Sequence, residues 1–109
     1  DARVRMLAST GKERSKFLPE LATVAEGGLP GYSFDSWIGI LAPAGVPRDT
    51  VRAINAAVGK LLQDPLILGR LDKQGVVPQA MTPEAFGELL RADYAKMARV
   101  VKISGARID

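Results

Sequence analysis

The sequence contains neither cysteine nor histidine. Without cysteine there is no disulfide and no thiolate nucleophile. Without histidine the commonest general base and the commonest metal ligand are gone, and with them the Ser-His-Asp and HExxH constellations. Aromatics are sparse, at 6%. Long apolar runs are also missing: a membrane-spanning helix needs about 20 consecutive apolar residues, and the longest mostly apolar piece, Trp37 to Val46, is interrupted by Gly39, Pro43 and Gly45. No nucleophile–base pair, metal set or phosphate-binding loop appears, so the chain is expected to be no enzyme, with no cofactor and no metal.

The 109 residues suffice for one modest core, and 47% hydrophobic with 25% charged residues is ordinary for a globular chain. The net charge of +3 favours anionic partners without choosing among them. The opening residues are not expected to be a secretory leader. The sequence opens "DARVRMLAST" inside a strand pattern and without Met, which reads as a mature or truncated piece.

Residues 3–9 alternate with period two, Val4 and Met6 opposing Arg3 and Arg5, which predicts a short strand. "TGKERSKFLPEL" predicts a polar loop. In "TVAEGGLPGY", Thr23 and Glu26 have capping-box spacing. Gly27 or Gly28 at positive φ then ends the helix after about one turn. "YSFDSWIGILAP", residues 32–43, predicts a second strand, apolar on both faces and stopped by Pro43.

The remainder reads as helix. Pro47 suits a first helical position, and Val51, Ile54, Val58, Leu61 and Leu62 share one face. Asp64-Pro65 starts a second helix that stops at Gly75. Thr82-Pro83-Glu84 starts a third, which Gly105 ends, and its stripe of Phe86, Leu89, Leu90, Met97, Val100 and Val101 is expected to be core. Two strands are too few for a complete α/β domain. Either further strands lie in a partner segment, or this is a small α+β unit.

Small hydroxyls and helix-start amides suit a carboxylate ligand, because they offer donors without an unpaired buried charge. Ser9 and Thr10 after the first strand, with Ser36 and Trp37 in the second, are the candidates. Each has a plainer reading: turn chemistry for Ser9 and Thr10, core packing for Trp37, and local hydrogen bonding for Ser36. Asp35 lacks a second catalytic group and reads as solvated or helix-facing. Lys12, Arg14 and Lys16 lack interleaved aromatics and read as a solvated loop rather than a phosphate site. The helices meeting at Gln63-Asp64-Pro65 resemble helix-turn-helix. A small basic nucleic-acid-binding module is therefore the alternative, although Leu66, Ile67 and Leu68 are poor base readers.

The order of motifs resembles the Bug, or TctC-like, solute receptors of tripartite tricarboxylate transport systems. The matching features are the Arg of "KERS", then P-x-x-x-T-V-A-E-x-G-L-P-G-Y from Pro19 to Tyr32. W-x-G-x-x-A-P-A-G-x-P from Trp37 to Pro47, "INAAVGKLLQDP", and a closing segment ending Gly-x-x-x-Asp follow. Val46 stands where the family commonly has a capping Thr or Ser. The resemblance implies the C-terminal part of a two-lobe periplasmic-binding-protein fold, type II-like and α/β, with few strands followed by three helices. Residues 1–34 would end the second lobe, 35–43 would be the interlobe crossing strand, and 44–109 the helical part of the first lobe. It also implies a periplasmic protein that captures a small carboxylate and works with membrane transporter subunits, with no nucleic-acid partner. Ser9, Thr10, Ser36 and Trp37 would be its ligand-binding residues. A lobe separated from its neighbours exposes edges, so a homodimer or swapped dimer is expected.

Overall fold

A computed structural model describes residues 4–107. Arg3 of the first expected strand and Asp109 of the closing motif lie outside the described residues. The chain divides into two compact units, Asp1–Leu41 and Ala42–Asp109.

The first unit is held by turns. Both strand expectations fail in it: residues 4–8 and 33–41 have no ladder partner, and the only strand-type pairing among the described residues is one isolated parallel bridge between Ser9 and Thr23. A strand exists only when a neighbour accepts and donates its backbone hydrogen bonds. Period-two patterning reports the face a segment will cover, not whether its partner is present. The capping box does form. Glu26 N–H donates to Thr23 Oγ1 at 3.1 Å, and Thr23 N–H donates to Glu26 Oε2 at 2.7 Å. Gly28 takes φ 119° and ends the turn, while Gly27 stays at negative φ. Leu29-Pro30-Gly31-Tyr32 then makes a β-turn, with Tyr32 N–H bonded to the Leu29 carbonyl and Gly31 at φ 85°. Proline second and a positive-φ glycine third is the type II arrangement, which a side chain at position 31 would strain.

The second unit holds three helices: α1 (Arg48–Leu61), α2 (Pro65–Lys73) and α3 (Pro83–Ser104). The residue before α1 is Pro47, one position earlier in role than the spacing suggests, and it provides no side-chain cap bond. α2 and α3 are capped as expected. Asp64 Oδ1 accepts from Leu66 N–H at 2.8 Å, and Thr82 Oγ1 from Ala85 N–H at 3.1 Å. Proline follows each cap at the position where its missing N–H costs nothing. Gly105, at φ 68°, closes α3 with its N–H on the Val101 carbonyl. α1 is tied to the lead into α3 by Asn55 Nδ2, which donates to the Met81 carbonyl at 2.9 Å. No helix among the described residues is long and apolar enough to cross a membrane.

No apolar side chain is buried among the described residues, and Thr23 alone is buried at all, at 2% exposure. The α3 stripe expected to be core is only half-buried at Phe86, Leu89, Leu90 and Met97, and Val100 and Val101 are exposed. Ile38 is 90% exposed and Trp37 41%, so the segment expected to be covered on both faces is covered on neither. Spacing orders the apolar groups, but burial needs material on the other side.

Candidate functional site

All four expected ligand residues lie in the first unit. Ser9 is half-buried, and its backbone is used on both sides. Its N–H donates to the Ala22 carbonyl at 2.9 Å, and its own carbonyl accepts from Val24 N–H at 2.9 Å. The Ser9 hydroxyl oxygen is buried without a hydrogen-bond partner, the state of a group that a ligand or a further piece of chain would satisfy. Thr10 is exposed, and its carbonyl accepts from Phe34 N–H at 2.7 Å. That bond brings the Ser9–Lys12 loop beside the segment that continues to Ser36 and Trp37. Both of those residues are exposed.

Asp35 secures the same junction. Its Oδ2 accepts from Lys12 N–H at 3.4 Å. Its Oδ1 stands 2.8 Å from where a Cβ at Gly11 would be, with the Glu13 carbonyl 3.1 Å from the same point. Gly11 is thus the residue that lets the carboxylate approach the loop. Asp35 is exposed, in keeping with its solvated reading, and its side chain also meets the backbone of the loop.

Arg14 is likewise no free loop cation. Its Nε lies 3.1 and 3.0 Å from the two Glu26 carboxylate oxygens, and Nη1 donates to the Pro19 carbonyl at 3.1 Å. The Arg14 hydrogen bond first, and then the Thr23 N–H, lower the Glu26 pKa to about 2; the carboxylate in turn raises that of Arg14. Lys16 sits over the Phe17 ring, 4.8 Å from its centroid. Lys12, Arg14, Thr23, Glu26 and Gly31 help to line an open groove of about 520 Å³, which none of the four expected ligand residues lines. Among the described residues no group of three or more acidic side chains is placed to hold a metal ion.

The Arg14–Glu26 link was absent from the residue-by-residue reading. No local spacing marks it, because the two partners stand 12 positions apart. The Gly11–Asp35 approach left no sequence signal, because it depends on how residues 11 and 35 meet in space.

Residues 1–106 match the profile of the "Tripartite tricarboxylate transporter family receptor". The chain belongs to this family. A "UPF0065 protein in tcbD-tcbE intergenic region" of Pseudomonas sp. (strain P51) is 33% identical over 100 residues, which are 91% of this chain and 30% of that protein. "Protein BugT" of Bordetella pertussis is 27% identical over 105 residues, 96% of this chain and 32% of that one. Among solved structures, "R. palustris Rpa4515 with adipate" matches with a TM-score of 0.76 and 33% identity. That match covers 93% of this chain and 34% of that structure. The receptor family chain therefore spans about 30% of the length of the curated relatives it matches. The similarity supports the receptor fold and accounts for three helices with almost no strands. This is a family of solute-binding receptors rather than of enzymes.

Proposed function

We propose that this chain is the C-terminal third of a periplasmic solute receptor, not an enzyme, that captures a small carboxylate for a tripartite tricarboxylate transporter. The observation that carries the reading is the likeness to the adipate-containing receptor structure, at TM-score 0.76 and 33% identity. The uncovered helix faces and unpaired extended segments support it, since they are what a lobe presents when the chain that packs against it lies elsewhere in sequence.

In this reading residues 1–34 finish the second lobe, 35–43 cross between lobes, and 44–109 complete the first. Ser9 and Thr10 offer their hydroxyls to one carboxylate, with Ser36 and Trp37 on the crossing segment closing the other side. Uptake works by cleft closure, which the ligand drives through its higher affinity for the closed state. The loaded receptor then meets the membrane subunits of the transporter.

Calorimetry on the whole polypeptide carrying this sequence, against adipate, citrate, succinate and glutamate, tests the proposal. A binding isotherm with at least one acid is expected, and heats no larger than dilution for all of them would overturn it. Expressed by itself, residues 1–109 should pair or swap with a second copy, because exposed strand-forming segments template such contacts. A strictly monomeric mass in light scattering would refute that part. The helix-turn-helix alternative gains no support: α2 opens with Leu66, Ile67 and Leu68, none of which can donate to a base edge.

A further inference from the structure

The Ser9–Lys12 loop carries two of the proposed ligand contacts, and its backbone is clamped on two sides. Phe34 and Asp35 hold Thr10 and Lys12 on one side. On the other, residues 22–24 bracket Ser9 through the Ser9 N–H to Ala22 and Val24 N–H to Ser9 bonds. The second clamp is only as firm as the 22–24 segment, which lies in no helix and no ladder. Beside the Gly27 N–H on the Thr23 carbonyl and the Leu29 N–H on the Val24 carbonyl, Glu26 supplies the side-chain hold on that segment. Its Oε2 takes the Thr23 N–H at 2.7 Å, while its own N–H is held by Thr23 Oγ1. Arg14 in turn fixes the carboxylate from outside and anchors itself on the Pro19 carbonyl. Thr23, at the centre, is the sole buried residue among those described, so water does not readily reach its backbone N–H, although the Arg14 and Glu26 side chains are half exposed.

From this we infer that Arg14 and Glu26 are positioning residues for anion capture, holding the Ser9–Lys12 loop in its binding geometry through Thr23. The inference rests on the receptor reading above. Exposed ion pairs commonly contribute little. This one differs because the same carboxylate also closes a capping box on a buried backbone amide.

The test uses the whole polypeptide as wild type, Glu26→Ala, Glu26→Gln and Arg14→Gln. Amide exchange is read at Ser9, Thr23 and Val24, with Leu90 and Met97 of α3 as internal references, beside adipate titrations by calorimetry. Glu26→Ala is expected to speed exchange at Ser9 and Val24 about five- to tenfold. α3 should stay unchanged and adipate binding should weaken by a similar factor. Glu26→Gln keeps an acceptor for the Thr23 N–H and should fall between wild type and Ala.

Unchanged exchange at Ser9 and Val24 in Glu26→Ala overturns the inference. So does unchanged adipate affinity despite faster exchange. If Glu26→Ala also loosens α3, Arg14→Gln decides by the same two readouts, because it leaves the Thr23–Glu26 pair in place. A wild type that binds no acid of the panel sinks the receptor reading instead, and exchange still decides whether these residues hold the loop.

Discussion

Replacing Gly11 with Ala presses a methyl group against the Asp35 carboxylate. The new Cβ would lie 2.8 Å from Asp35 Oδ1, about 0.6 Å inside ordinary contact, and 3.1 Å from the Glu13 carbonyl. The backbone oxygen has little room to yield, so the carboxylate must. Its bond to Lys12 N–H is already long at 3.4 Å and does not survive a retreat. The lost bond costs about 0.5–1.5 kcal/mol, and the forced contact adds strain. Gly11 is not at positive φ, so Ala should also gain about 0.4–1 kcal/mol by restricting the unfolded chain. The balance is a destabilisation of about 1 kcal/mol. In an Asp35→Ala background the clash and the lost bond both vanish; the 3.1 Å contact with the Glu13 carbonyl remains and offsets the unfolded-chain gain, so Gly11→Ala becomes nearly neutral. Urea unfolding of the four proteins in this cycle, each as the whole polypeptide, measures a coupling of about 1 kcal/mol. Equal costs of Gly11→Ala in both backgrounds would refute the claim that Asp35 is what reserves position 11 for glycine.

Glu26, lowered from 4.5 to about 2 in the folded chain, stabilises fully above its unfolded pKa and loses that contribution as pH falls towards 2. The melting-temperature gap between wild type and Glu26→Gln should therefore be flat from pH 8 to 5, shrink below about pH 4.5, and close near pH 2. A gap that persists at pH 2 would assign it to something other than this charge. Thr82→Ala removes the bond to Ala85 N–H that caps α3 and should cost about 0.5–2 kcal/mol in urea unfolding. Thr82→Asn, an equally good cap, should restore most of the loss. Asn55→Ala leaves the part-buried Met81 carbonyl without its donor and should cost about 0.5–1.5 kcal/mol; a change within error would show that water replaces the amide.

How much could be read in advance depended on the range of the interaction. The Thr23–Glu26 capping box, the Asp64 and Thr82 caps, the prolines after them and the Gly105 stop are contacts between residues two to four apart. Each was legible because a handful of neighbouring residues contains both partners. Pro47 came out one position off because no side-chain cap marks that helix start. Residues 4–8 and 32–43 form no ladder because alternation describes a segment prepared for a sheet, while the sheet itself needs another segment to pair with. The Phe86–Val101 stripe was misjudged for the same reason: periodicity collects apolar groups on one face without providing the opposite wall.

The sequence by itself determined three helices, the caps of two of them, the tight turn from Thr23 to Tyr32, and membership in the receptor family, since these rest on local backbone chemistry and on ordered motifs. Only the tertiary structure decided that Arg14 reaches Glu26 across 12 positions, that Asp35 reaches back to Lys12 across 23, and that the Ser9 hydroxyl is buried without a partner. Those outcomes turn on how far-apart residues meet once the chain has bent, and no local rule constrains a distance that is set by every turn in between.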